Sequence, residues 1–75
     1  MRYRVVFEYQ SEDTAMSDVS NCKDEQSAMD KFAELKDSLE HAIDPDSCEV
    51  VDEPEHYSLI NREAGIMGYV RIVND

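Results

Sequence analysis

Between Asp24 and Ile43 the chain carries two opposed stripes, and these restrict its fold more than any other stretch. At about 100° per residue, Ala28, Phe32, Leu35, Leu39 and Ala42 fall on one narrow side, with Met29 and Ile43 at its flank. Asp30, Glu34, Asp37, Glu40 and Asp44 gather on the opposite side, and Lys31 and Lys36 stand at the borders. The pattern predicts an amphipathic helix, apolar inside and acidic outside. Asp24 suits the N-cap, because its carboxylate accepts from the unpaired amides of the first turn, and Glu25 adds favourable charge there. Pro45 stops the helix, since the residue before a proline is pushed out of helical geometry. Asp44-Pro45-Asp46-Ser47 then reads as a tight turn.

On either side of this segment the period changes to two. Tyr3, Val5, Phe7 and Tyr9 alternate with Arg2, Arg4, Val6 and Glu8, a strand whose aromatic side meets the helix. Thr14 to Cys22 is read as an edge strand paired with the first, although Ala15, Met16, Val19 and Cys22 also suit a helical turn. Cys48, Val50 and Val51 mark a third strand, closed by Asp52-Glu53-Pro54-Glu55, and Tyr57 to Asn61 a fourth. Arg62-Glu63-Ala64-Gly65 is a hairpin loop in which Gly65 supplies positive φ. Ile66 to Val73 is the last strand, with Ile66, Gly68, Val70 and Ile72 on one face and Met67, Tyr69, Arg71 and Val73 on the other.

The expected architecture is therefore α+β in the order β-β-α-β-β-β. An antiparallel or mixed sheet of four to five strands carries the helix on one face. All 75 residues belong to a single domain, which at this size buries only about 60% of its unfolded surface. One helix covers one sheet face. Arg2, Arg4, Val6, Met67, Tyr69 and Arg71 are expected on the other, which is left to solvent or to a second molecule.

Charge is the strongest compositional signal, a formal −11 at neutral pH. Residues 12 to 55 hold fifteen acids against Lys23, Lys31 and Lys36, a balance of −12; the two ends, with four arginines and three acids, balance at +1. An acidic middle repels nucleic-acid phosphates and anionic membranes, so neither is expected as a direct partner, and it attracts a basic protein surface. Solubility is the plainer explanation of such charge. No run approaches the roughly 18 apolar residues of a membrane span. With only Cys22 and Cys48, and no apolar leader ahead of the first strand pattern, a reduced cytoplasmic setting is expected.

Catalytic chemistry finds no foothold in the sequence. Acid–base work needs two carboxylates in contrasting environments, whereas nearly all the acids fall at solvent positions. Asp37 and His41 sit one helical turn apart, as an ordinary surface pair would. Cys22, His41, Cys48 and His56 lack the close ligand pairs of zinc modules, and Asp44, Asp46 and Glu49 lack the glycine and distant glutamate of a calcium loop. No enzyme, metal or cofactor is expected.

The acidic stripe has a measurable density. Asp30 to Asp44 spans about 21 Å at 1.5 Å per residue, one carboxylate per roughly 5 Å. A DNA strand carries one charge per roughly 3.4 Å, and Asp46, Glu49, Asp52, Glu53 and Glu55 would raise the density if they lay alongside. These ten acids form the first candidate surface, read as that of a non-catalytic inhibitor or adaptor docking on a basic, nucleic-acid-binding protein. Viral anti-CRISPR and anti-restriction proteins that imitate DNA share this size and charge, with no motif in common. The second candidate is the open sheet face, which would make the chain an oligomerisation subunit or homodimer.

Overall fold

The computed structural model describes residues 2–74. Five strands and one long helix follow in the expected order: β1 (Tyr3–Gln10), β2 (Ala15–Cys22), α1 (Glu25–Ala42), β3 (Glu49–Glu53), β4 (His56–Asn61) and β5 (Ile66–Asn74). A single 3-10 turn, Pro45–Ser47, sits between α1 and β3. The strands form one antiparallel sheet in the order β2-β1-β5-β4-β3.

Three hairpins make most of this order, and one long-range pairing completes it. Ser11 N–H donates to the Thr14 carbonyl at 2.8 Å and closes β1 onto β2. Between β4 and β5, the Asn61 side chain accepts from Ala64 N–H at 3.1 Å, and Gly65 takes a φ of 67°, which the absence of a Cβ permits. β5 then docks against β1, from Tyr3 opposite Asn74 to Gln10 opposite Met67. That step joins the β1–β2 hairpin to the β3–β4–β5 meander and leaves β2 and β3 as the edges of one sheet.

Asp24 caps the helix as its position predicts. Its carboxylate accepts from Ser27 N–H at 2.7 Å, and that bond chiefly holds its pKa below the usual carboxylate value. At the other end Ile43 is extended and its N–H still donates to the Leu39 carbonyl. Asp44 caps the 3-10 turn by accepting from Asp46 N–H at 3.1 Å and Ser47 Oγ–H at 3.3 Å.

The core lies between α1 and one sheet face. Ala28, Phe32, Leu39 and Ile43 meet Val5, Tyr57, Leu59 and Val70, all buried, with Tyr3, Phe7, Tyr9 and Leu35 packed around them. Two details depart from the sequence reading, and one alternative it left open is closed. Ala42, expected inside, is exposed, because the chain leaves helical geometry at Ile43 and turns that larger side chain into the core instead. β3 runs on through Glu53 and β4 begins at His56, since cross-strand pairing of these two residues shrinks the turn to Pro54-Glu55. Residues 15–22 are strand throughout, which settles the helical alternative.

Candidate functional site

Asp30, Glu34 and Asp37 stand together on the outer face of α1, all exposed. Each meets a local partner. Asp30 accepts from Gln26 Nε2 at 2.9 Å, Lys31 Nζ lies 3.7 Å from Glu34, and His41 Nδ1 lies 3.7 Å from the Asp37 carboxylate. The His41 ring also donates to the Asp37 backbone carbonyl at 2.8 Å. That bond, then the Asp37 charge, raises the imidazole pKa above its ordinary value. Such exposed pairs contribute little energy and are screened by salt, so the face keeps its negative field.

The flank toward β3 and β4 continues this face. Lys36 Nζ is 3.3 Å from Asp52 Oδ1 and 4.7 Å above the Tyr57 ring. Glu40 neighbours the Tyr57 hydroxyl; burial first, and the Glu40 charge second, push the phenol pKa up. Glu40 and Asp52 therefore belong with the helix acids, whereas Asp44 and Asp46 sit on the 3-10 turn beyond the helix end.

The remaining acids of the first candidate surface are not brought alongside. Glu49 is opposite Ile60 and Glu53 opposite His56, and both pairs lie on the sheet face away from the helix, because the alternate residues Leu59 and Tyr57 are in the core. Glu49 accepts from Arg62 Nε at 3.0 Å. Glu55 occupies the β3–β4 turn.

The second candidate surface assembles as its alternation predicts. Arg4 and Val6 on β1 pair with Val73 and Arg71 on β5, and Met67 and Tyr69 continue the same face. Arg2 precedes β1 at the margin, beside Asn21 and Lys23. At the centre the Tyr69 ring stacks on His56, with centroids 6.0 Å apart and an interplanar angle of 13°. The Arg71 guanidinium lies 5.7 Å from the same ring. Glu8 is the cross-strand partner of Tyr69; burial foremost, with the Glu8 charge, raises the phenol pKa.

His56, Ser58, Ile60, Val51 and Val19 share this face and were not picked out from sequence. Their signal lies in the register. Once the β3–β4 turn is Pro54-Glu55, alternation places His56, Ser58 and Ile60 opposite Arg71, Tyr69 and Met67.

Cys22 and Cys48 are free, half-buried thiols on β2 and beside β3, so the whole sheet separates them. Burial chiefly raises the Cys48 pKa, and its Sγ–H donates to the Asp44 carbonyl at 3.3 Å. Among the described residues no group of three or more His, Cys, Asp or Glu side chains is placed to hold a metal ion, and no helix is long and apolar enough to cross a membrane.

Fold and surfaces together define a small antiparallel α+β domain with an acidic helical side and an aromatic–arginine sheet face. Comparison of the chain with protein-family models, with curated proteins and with solved structures found no match.

Proposed function

We propose that the chain is a non-catalytic inhibitor or adaptor, whose acidic helical side docks on the basic, nucleic-acid-binding surface of a partner protein. The observation that carries this reading is the grouping of Asp30, Glu34 and Asp37 with Glu40 and Asp52 around one side of α1, with Lys31, Lys36 and His41 as the cations set among them. The mechanism is occlusion. Carboxylates take the place of phosphates, long-range attraction speeds encounter, and the bound domain blocks the nucleic acid. Viral inhibitors of host defence would use such a surface, and a reducing cytoplasm suits a chain whose two thiols lie too far apart to pair. Pull-down with a basic DNA- or RNA-binding protein at low and moderate ionic strength tests the reading. Binding should weaken with salt and be lost in Glu34→Lys/Asp37→Lys. Salt-insensitive capture, or full capture by the double variant, would reject it.

A second reading makes the chain a subunit that associates through its open sheet face. The stack of Tyr69 on His56 beside Arg71 favours it, because tyrosine and arginine dominate the energetics of protein interfaces. Tyr69→Asp should abolish such an association and leave the acidic side intact.

A further inference from the structure

The two edges of the sheet are built differently. β3 is short and carries Glu49, Asp52 and Glu53, with Pro54 directly after it and Pro45 a few residues before. These are the devices that keep an edge strand from pairing with another chain. β2 is longer, has no proline, no lysine and no bulge in its register with β1, and holds Asp18 as its one charge. Val19 is 51% exposed and Met16 56%, so the strand is open on both faces from Ala15 to Val19, and only toward Cys22 does it pack against the core.

The direction of the free backbone groups follows from the hairpin. Ser11 and Thr14 are hydrogen-bonded at its closed end. Hydrogen-bonded and non-bonded pairs alternate along an antiparallel ladder, so Met16, Asp18, Ser20 and Cys22 bond to β1. Ala15, Ser17, Val19 and Asn21 then turn their N–H and C=O groups outward from the sheet.

We propose that a second copy of this chain pairs antiparallel with this edge, β2 to β2 about a two-fold axis at Val19, to form one continuous sheet. A two-fold perpendicular to the sheet keeps helix face with helix face, so partners must have the same parity. Two registers overlap most. One sets Asp18 beside Asp18 of the second copy, which like charge opposes. The other sets Val19 beside Val19, Ser17 beside Asn21, Asp18 beside Ser20 and Met16 beside Cys22. In that register the outward groups of Ser17, Val19 and Asn21 meet their counterparts as hydrogen-bonded pairs. Val6 adjoins Val19 on the same face, so the open face gains an unbroken row of valines across the axis. Lys23, just past the strand, comes opposite Ala15 of the other copy, beyond the paired strands.

Charge also selects this edge. Residues 15 to 23 hold Asp18 and Lys23 and are neutral together, within a chain of net charge −11. Repulsion between the two acidic bodies remains, so salt strengthens the dimer. Docking on a basic partner has the opposite salt dependence, and the two ideas fail separately.

Sedimentation of the whole chain from about 10 µM to about 1 mM is the test, since an interface this small is in the weak class. The expected result is a shift from 8.6 kDa toward twice that mass, larger at moderate salt. Val19→Pro removes an N–H that β1 does not use, and should give a monomer with an unchanged circular dichroism spectrum. Val19→Lys and Val19→Glu should each be monomeric alone and form a heterodimer when mixed, which also serves if the proline variant does not fold. A wild type that stays at 8.6 kDa throughout, a folded Val19→Pro that still dimerises, or Lys and Glu variants that ignore each other would overturn the proposal. Dimerisation abolished by Tyr69→Asp and retained in Val19→Pro would overturn it in favour of the sheet face.

Discussion

Gly68 lies directly beneath Leu39, and a Cβ built on that glycine would collide with Leu39 Cδ1 and approach Glu8 O and Ile43 Cδ1 to 3.3 Å each. The helix therefore rests on β5 where the strand has no side chain. Leu39 fills that space and is fully buried.

Gly68→Ala should destabilise the fold by about 1–3 kcal/mol through overpacking, and Leu39→Ala by about 2–5 kcal/mol through the cavity left behind. The double variant should lose less than the sum, because the shortened side chain makes room for the new methyl group. Urea unfolding of the four proteins checks this; strict additivity would mean that the two positions do not share space.

Tyr57 and Tyr69 should both titrate above the usual phenol range, as burial and the Glu40 and Glu8 carboxylates require. A folded pKa raised above the unfolded value, near 10, gives stability that is whole below that value and is lost as pH rises through the folded pKa. Ultraviolet titration of tyrosinate should show the delayed ionisation, and Tyr57→Phe should remove part of the alkaline loss.

His41 works in the same direction at lower pH. Its folded pKa is raised by the Asp37 carbonyl and carboxylate, so its contribution is full below about 6.5 and declines as pH rises through the folded value. Replacing His41 by Asn should flatten the melting temperature across that window. Imidazole resonances titrating below the ordinary value would contradict the pairing.

Clustered carboxylates repel, and among the described residues Lys31, Lys36 and His41 are the cations paired with those of the helical side. Moderate salt should therefore raise the melting temperature of the isolated domain above its low-salt value. An unchanged melting temperature would show that the local pairs already cancel the field.

The helix, its Asp24 cap, its stop before Pro45, the Gly65 turn and the alternation of β1 and β5 were legible because each is a local property. A period of 3.6 or 2, a capping carboxylate and a glycine at positive φ depend on neighbours within a few residues. The six residues expected on the open face come together, or to its margin, for the same reason. Parity within a strand decides its two sides, and the buried valine Val5 fixes which side is inward.

The acidic surface was legible only along the helix. Asp30, Glu34, Asp37 and Glu40 keep the spacing that a rigid helix imposes, whereas Glu49 and Glu53 change sides according to where β3 starts and how tightly Pro54-Glu55 turns. Ala42 and Ile43 exchanged places because the helix end is set by packing against the sheet, not by periodicity. By itself the sequence determined the elements and the polarity of each. The tertiary structure alone decided that β5 pairs with β1, that β2 and β3 become the edges, and that only one of those edges is guarded. Those outcomes depend on hydrogen bonds between residues far apart in the chain, whose partners no local pattern names.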